Sequence, residues 1–175
     1  MVSMKFICLM LCVILIACNP LYADCIDGDC ADGIGTYVHI DGSKYQGNHT
    51  GGKREGEGTY TYPDGTTYTG QFKESLFNGQ GTFTSPGGEK YDGNFLNGQR
   101  NGYGSYWYAD GSRYEGQFLD DNRNGQGILT FPDGKKLSGQ FKNNRLDGRG
   151  TMIWPDGRTE NVEQTGDGTF KVIFK

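Results

Sequence analysis

The chain has 175 residues, of which 30 are glycine, 11 tyrosine, 10 phenylalanine and 2 tryptophan, with only 5 prolines. Glycine costs about 1 kcal/mol relative to alanine inside a helix. Because the glycines run from Gly28 to Gly168 without a clean three-residue period, helix is excluded over most of the chain and collagen altogether, while the aromatic content excludes a chain that buries nothing. With 17 basic against 21 acidic residues, net −4, no nucleic-acid partner is expected.

The first element is an address. Lys5 precedes an apolar run from Phe6 to Ala17, the length of a signal-peptide core and too short to span a membrane. The run ends Leu15-Ile16-Ala17-Cys18, which resembles the bacterial lipobox. That resemblance implies cleavage before Cys18, lipidation of its thiol, and an exported protein held at the cell envelope, facing the periplasm or the surface. Cleavage after Ala23 by an ordinary signal peptidase is the other reading; it gives a secreted, unlipidated protein. On the first reading residues 1–17 are the signal peptide and residues 18–30 a tether. Within the tether Cys25 and Cys30 are the cysteines left for the folded part. In an oxidising compartment they are placed to close a small loop disulfide; a metal clip is the alternative, but two cysteines with His39 and His49 elsewhere do not make a tetrahedral zinc set.

From residue 31 the chain repeats itself. Tyr45-Gln46-Gly47, Tyr68-Thr69-Gly70, Tyr91-Asp92-Gly93, Tyr114-Glu115-Gly116 and Leu137-Ser138-Gly139 follow one another every 23 residues, a period that marks a repeat architecture. Each is followed by Gly-x-Gly (Gly56 and Gly58 through Gly148 and Gly150) and by a turn such as Pro63-Asp64-Gly65 or Pro132-Asp133-Gly134. A half unit, Gly33 to Gly42, precedes them in register. Tyr114-Glu115-Gly116-Gln117-Phe118 followed by Asn124-Gly125-Gln126-Gly127 resembles the membrane occupation and recognition nexus (MORN) repeat, over residues 31–159. Two units depart from it: His49 stands where the first repeat should have an aromatic ring, and Leu137 replaces the leading tyrosine of the fifth. These two are therefore expected to end the regular stack.

Alternation with period two sorts the faces. Tyr91, Gly93 and Phe95 share one side with Gly102, Gly104, Tyr106 and Tyr108; Lys90, Asp92 and Asn94 take the other. The expected fold is all-β, a single elongated antiparallel sheet of stacked β-hairpins, solenoid-like. Each hairpin has two strands of about six residues joined by a loop such as 97–101, and Pro-Asp-Gly reverses the chain into the next. A lone hairpin is marginal in water, so each repeat leans on its neighbours. Residues 160–175 are read as a C-terminal capping strand carrying Phe170, Val172 and Phe174.

The candidate site is the aromatic face: Tyr45, Tyr68, Phe72, Tyr91, Phe95, Tyr108, Tyr114, Phe118, Phe131, Phe141 and Trp154, with the glycine column Gly47, Gly70, Gly93, Gly116 and Gly139 beside it. These rings are either the core or an open groove. A bare glycine gives a facing ring a slot to lie in, and Phe141, nearest the irregular unit, is expected to be the less firmly held of the phenylalanines. Nothing assembles a nucleophile with its base, the Gly-x-Gly pairs lack the Lys-Ser/Thr of a phosphate loop, and Asp24, Asp27, Asp29 and Asp32 depart from calcium-loop spacing, so no enzyme, cofactor or metal is expected. Asn48-His49-Thr50 matters only in a eukaryotic secretory pathway. The resemblance implies a non-enzymatic scaffold or interaction module that binds a protein partner or a second copy, or alternatively a phospholipid headgroup or glycan in the aromatic groove.

Overall fold

The computed structural model describes residues 24–173. The strands are β1 (Asp24–Gly28), β2 (Gly33–Val38), β3 (Lys44–Thr50), β4 (Lys53–Thr61), β5 (Thr67–Lys73), β6 (Leu76–Thr84), β7 (Lys90–Leu96), β8 (Gln99–Trp107), β9 (Arg113–Leu119), β10 (Asn122–Thr130), β11 (Lys136–Lys142), β12 (Arg145–Ile153), β13 (Thr159–Gln164) and β14 (Phe170–Val172). They form one antiparallel sheet in strict chain order, β1 at one edge and β14 at the other. Every strand thus pairs with its sequence neighbours.

Two kinds of turn alternate. The Pro-Asp-Gly segments form tight reversals: in the one after β4, Tyr62 N–H donates to Thr66 O (2.8 Å), Gly65 N–H to Tyr62 O (3.0 Å), and Asp64 Oδ1 accepts from Thr66 N–H (2.8 Å). Gly65 sits at φ +86°, where a residue with a Cβ is strained. The opposite tips are tighter than the sequence suggested. Instead of a loop over 97–101, β7 and β8 are joined by Asn97 and Gly98 alone, at φ +51° and +88°, the type I′ geometry whose twist matches the flanking strands. The residues assigned to the rest of that loop belong to β8. There Asn101, Gly102 and Tyr103 lie opposite Asn94, because Phe95 pairs with Arg100 and Gly93 with Gly104. This bulge lengthens the return strands to 9 residues against 7 in the leading ones.

Three further expectations are corrected. Residues 24–28 are an edge strand paired with β2 rather than a tether, and Cys25 in that strand and Cys30 in the turn beyond it stand with Cα atoms 5.9 Å apart, a separation a disulfide can span. The C-terminal segment is two strands rather than one, since Val162 in β13 pairs with Val172 in β14; Phe174 lies outside the described residues. The ladder also continues past Leu137. Leu146 swings its Cδ1 to within 2.6 Å of where a Cβ on Gly139 would sit, filling the space the missing tyrosine ring would take, and Phe141 is as buried as the other phenylalanines.

The sheet curls with its aromatic face inward. Phe131, just after β10, meets Phe170 of β14 with ring centroids 6.1 Å apart, although four strand spacings on a flat sheet would separate them by about 19 Å. The single layer thereby covers part of its own apolar face.

Candidate interaction face

Beneath each leading tyrosine lies a pair of glycines on adjacent strands: Gly47 with Gly58, Gly70 with Gly81, Gly93 with Gly104, Gly116 with Gly127. The ring lies flat across them. A Cβ on Gly104 would stand 2.4 Å from Tyr91 Oη and 2.6 Å from its Cε2. The hydroxyl then reaches back and donates to a backbone carbonyl three residues on: Tyr45 to Asn48 (2.9 Å), Tyr68 to Gln71 (2.8 Å), Tyr91 to Asn94 (3.0 Å) and Tyr114 to Gln117 (3.1 Å). All four tyrosines are fully buried. Desolvation pushes Tyr45, Tyr91 and Tyr114 up to about 12 and raises Tyr68 as well.

The phenylalanines lock one repeat to the next. Phe72, Phe95, Phe118 and Phe141 stand edge-on to Tyr45, Tyr68, Tyr91 and Tyr114 of the preceding repeat at 4.9 to 5.2 Å, a geometry that adds about 0.5–1.5 kcal/mol per pair beyond area burial. His49 takes the phenylalanine place in the first repeat, buried and edge-on to Tyr45 at 5.0 Å.

A second layer was not legible as such in the sequence. Two residues past each tip stand Arg54, Phe77, Arg100, Arg123 and Leu146. Arg54, Arg100 and Arg123 lay their guanidinium groups over the inner rings, Arg100 at 4.9 Å from Tyr106 and Arg54 at 4.7 Å from Tyr60. Each also donates to a carbonyl in the next tip: Arg54 to Ser75 O (2.7 Å), Arg100 to Asp121 O (3.0 Å) and Arg123 to Asn144 O. Their backbone N–H groups are taken by the side chains of those same tip residues. This explains why Ser75, Asp121 and Asn144 occupy positive-φ positions that glycine would fill with less strain. The 23-residue recurrence of Arg54, Arg100 and Arg123 was the signal available for it.

The arginine is missing at Phe77 and at Leu146, and at the first of these the interlock lapses. Phe77 replaces the arginine and Gly98 the acceptor, leaving a single backbone bond from Gly98 N–H to Phe77 O (2.8 Å), while the Phe77 ring stacks on Tyr68 at 3.8 Å. At this junction the face opens into a cavity of about 380 Å³ lined by Phe77, Phe83, Tyr91, Phe95, Arg100 and Tyr106 among others. It adjoins a second of about 290 Å³ through Phe77 and Gly98, which adjoins a third of about 360 Å³ through Arg54 and Ser75. The three cavities follow one another along the concave face. Its upper shelf is half-buried Tyr60, Phe83, Tyr106 and Leu129, continued by Tyr62, Tyr108, Phe131 and Trp154.

The other face is polar, with Thr59 hydrogen-bonded to Thr69, Gln80 to Asn94 and Gln126 to Gln140, and with Trp107 held between Lys90 and Arg113. Asp29 and Asp32 cap backbone N–H groups of residues 31, 32 and 51. Among the described residues no three His, Cys, Asp or Glu side chains are grouped to hold a metal. Cys18 and the apolar run before it lie outside the described residues.

Residues 45–67, 68–90, 91–113, 114–136 and 138–157 each match the sequence model of the MORN repeat. No curated protein sequence matches the chain. Among solved structures it is similar to the SAS-4 (dCPAP) TCP domain of Drosophila melanogaster in complex with a proline-rich motif of Ana2 (dSTIL), at 16% identity over 85% of this chain and 93% of that one, with a TM-score of 0.44. It is also similar to the wild-type TCP10 domain of Danio rerio CPAP, at 19% identity over 81% of this chain and 66% of that one (TM-score 0.48). A third is the G-box domain of the microcephaly protein CPAP, at 17% identity over 82% of each chain (TM-score 0.43).

Proposed function

Since this chain belongs to the MORN-repeat family, we propose that it is a non-enzymatic scaffold that holds a protein partner along its concave aromatic groove, exported and anchored to a membrane by lipid on Cys18. The observation that carries the binding reading is the division of the aromatics into two layers. The tyrosine and phenylalanine columns are spent on holding the sheet together, whereas Tyr60, Phe83 and Tyr106 stay half-buried along the concave face, the last two lining the cavity where Phe77 interrupts the arginine interlock. Such a shelf suits the alternate side chains of an extended peptide. Export and anchoring are supported by Lys5, the apolar run from Phe6 to Ala17, and Leu15-Ile16-Ala17-Cys18.

Photocrosslinking tests the groove. A benzophenone amino acid at Phe83 should capture a partner in the native cell, the same group at Gln80 on the polar face should not, and Tyr106→Ala should weaken the purified pair. Equal capture from both faces would overturn the assignment. The anchor is tested by acyl labelling, which Cys18→Ala should abolish together with membrane association; a mature chain starting at Asp24 without acyl mass would refute it. An anionic headgroup is the competing ligand, disfavoured by a net charge of −4, because such recognition draws on basic clusters. Salt-sensitive flotation of Cys18→Ala with anionic vesicles would replace the protein reading with that one.

A further inference from the structure

We propose that copies of this chain join end to end, β14 of one against β1 of the next, so that the sheet runs on through the joint. The inference rests on the scaffold reading above and names one partner of that scaffold, a second copy. Strand order and parity permit it. The fourteen strands alternate in direction from β1 to β14, so the two edge strands are antiparallel to each other. Copies placed in one orientation therefore continue the antiparallel pattern and keep their aromatic faces on the same side. Among the described residues the outer edges of β1 and β14 pair with no strand, and an unpaired edge is a template for another chain.

Charge selects which edges meet. On β1, Asp24 and Asp27 are exposed and lie on the polar face, since they pair with Val38 and Thr36 while Cys25 pairs with the inward Tyr37. On β14, Lys171 is exposed on that same face, because its neighbour Val172 pairs with the buried Val162. Lys171 already faces Glu163 of β13. An aspartate on its other side would give it an opposite charge on both flanks, which stabilises cross-strand pairs. The two-fold alternatives set Asp24 and Asp27 against their own copies, or Lys171 against Lys171, and like charges directly opposite are destabilising. The acidic end also exposes Ile26 and Ile34, apolar surface that a neighbouring strand would cover. A joint between strands of 5 and 3 residues buries little area, so association is weak and concentration-dependent. Because the contact is heterologous it does not close on itself, and the product is an open chain of copies.

Sedimentation velocity and small-angle scattering over a concentration series test this on the whole protein. The expected result is growth in length at constant cross-section, weakened by salt. Asp27→Lys and Lys171→Glu, both at exposed positions, should each weaken association roughly tenfold with unchanged circular dichroism and melting. An equal mixture of the two should assemble again, since either variant then meets an opposite charge at both ends. That rescue also shows that both variants are folded. A monomer at every concentration, growth that stops at a dimer, or charge reversals without effect would overturn the proposal. None of these outcomes touches crosslinking from Phe83, so failure of the joint and failure of the groove are read separately.

Discussion

Gly104→Ala probes the tyrosine-over-glycine packing in the middle of the array. The new methyl would stand 2.4 Å from Tyr91 Oη and 2.6 Å from Cε2 and Cζ, well inside van der Waals contact. The ring cannot step aside, because it is fully buried and flanked edge-on by Phe95 and Phe118 at 5.1 Å. Moving it also breaks the hydroxyl's bond to Asn94 O, worth about 0.5–1.5 kcal/mol net; with overpacking of about 1–3 kcal/mol, the total should reach about 1.5–4.5 kcal/mol. The chain contains its own control. In the fifth repeat a methyl on Gly150 would meet Leu146 Cδ1 at 2.9 Å and Leu137 Cδ1 at 3.1 Å, the free ends of flexible side chains, and the Ser138 carbonyl oxygen at 3.0 Å, with no ring to displace, so Gly150→Ala should cost less than Gly104→Ala. Gly166→Ala, with open space around it and no left-handed backbone, should fall within about 0.5 kcal/mol of wild type. Urea melts of the three variants decide the matter. A double-mutant cycle with Tyr91→Leu should recover much of the Gly104→Ala loss through the coupling of touching residues. Equal costs at Gly104 and Gly150, or no coupling to Tyr91, would refute the slot.

Truncating Phe95 or Phe141 to alanine should cost about 3–5 kcal/mol at either site, because both are buried and Phe141 still stands edge-on to Tyr114; a neutral Phe95→Ala melt would make the column a surface. Alkali should unfold the protein. The unfolded tyrosines ionise near 10 while the folded Tyr45, Tyr91 and Tyr114 hold their protons to about 12 because burial disfavours the phenolate. The stability these groups contribute is thus whole below pH 10 and lost as pH rises through 12; tyrosinate absorbance from them should appear together with loss of circular dichroism, and gradual ionisation without unfolding would contradict their burial. Thiol titration of the unfolded protein should find Cys25 and Cys30 unreactive until reductant is added; two free thiols would show the pair to be open.

The 23-residue period, the Tyr-x-Gly and Gly-x-Gly spacing and the Pro-Asp-Gly turns are local, and they were enough to name an all-β stack of hairpins, because each strand pairs only with its sequence neighbours and needs no long-range information. The same alternation placed Tyr91, Phe95 and Tyr106 on one face. It did not say where each tip turns, since a two-residue tip followed by a glycine bulge and a longer loop occupy the same stretch of sequence. Nor did it show that Leu146 fills the place of the missing tyrosine ring, a substitution from the opposite strand that appears only once register is known. The tertiary structure alone decided the arginine interlock of Arg54, Arg100 and Arg123, its lapse at Phe77, and the inward curl that brings Phe131 to Phe170. Those contacts join residues that are neighbours only across tips or across several strands. They depend on twist and curvature accumulated over the whole sheet, a sum that no single repeat contains.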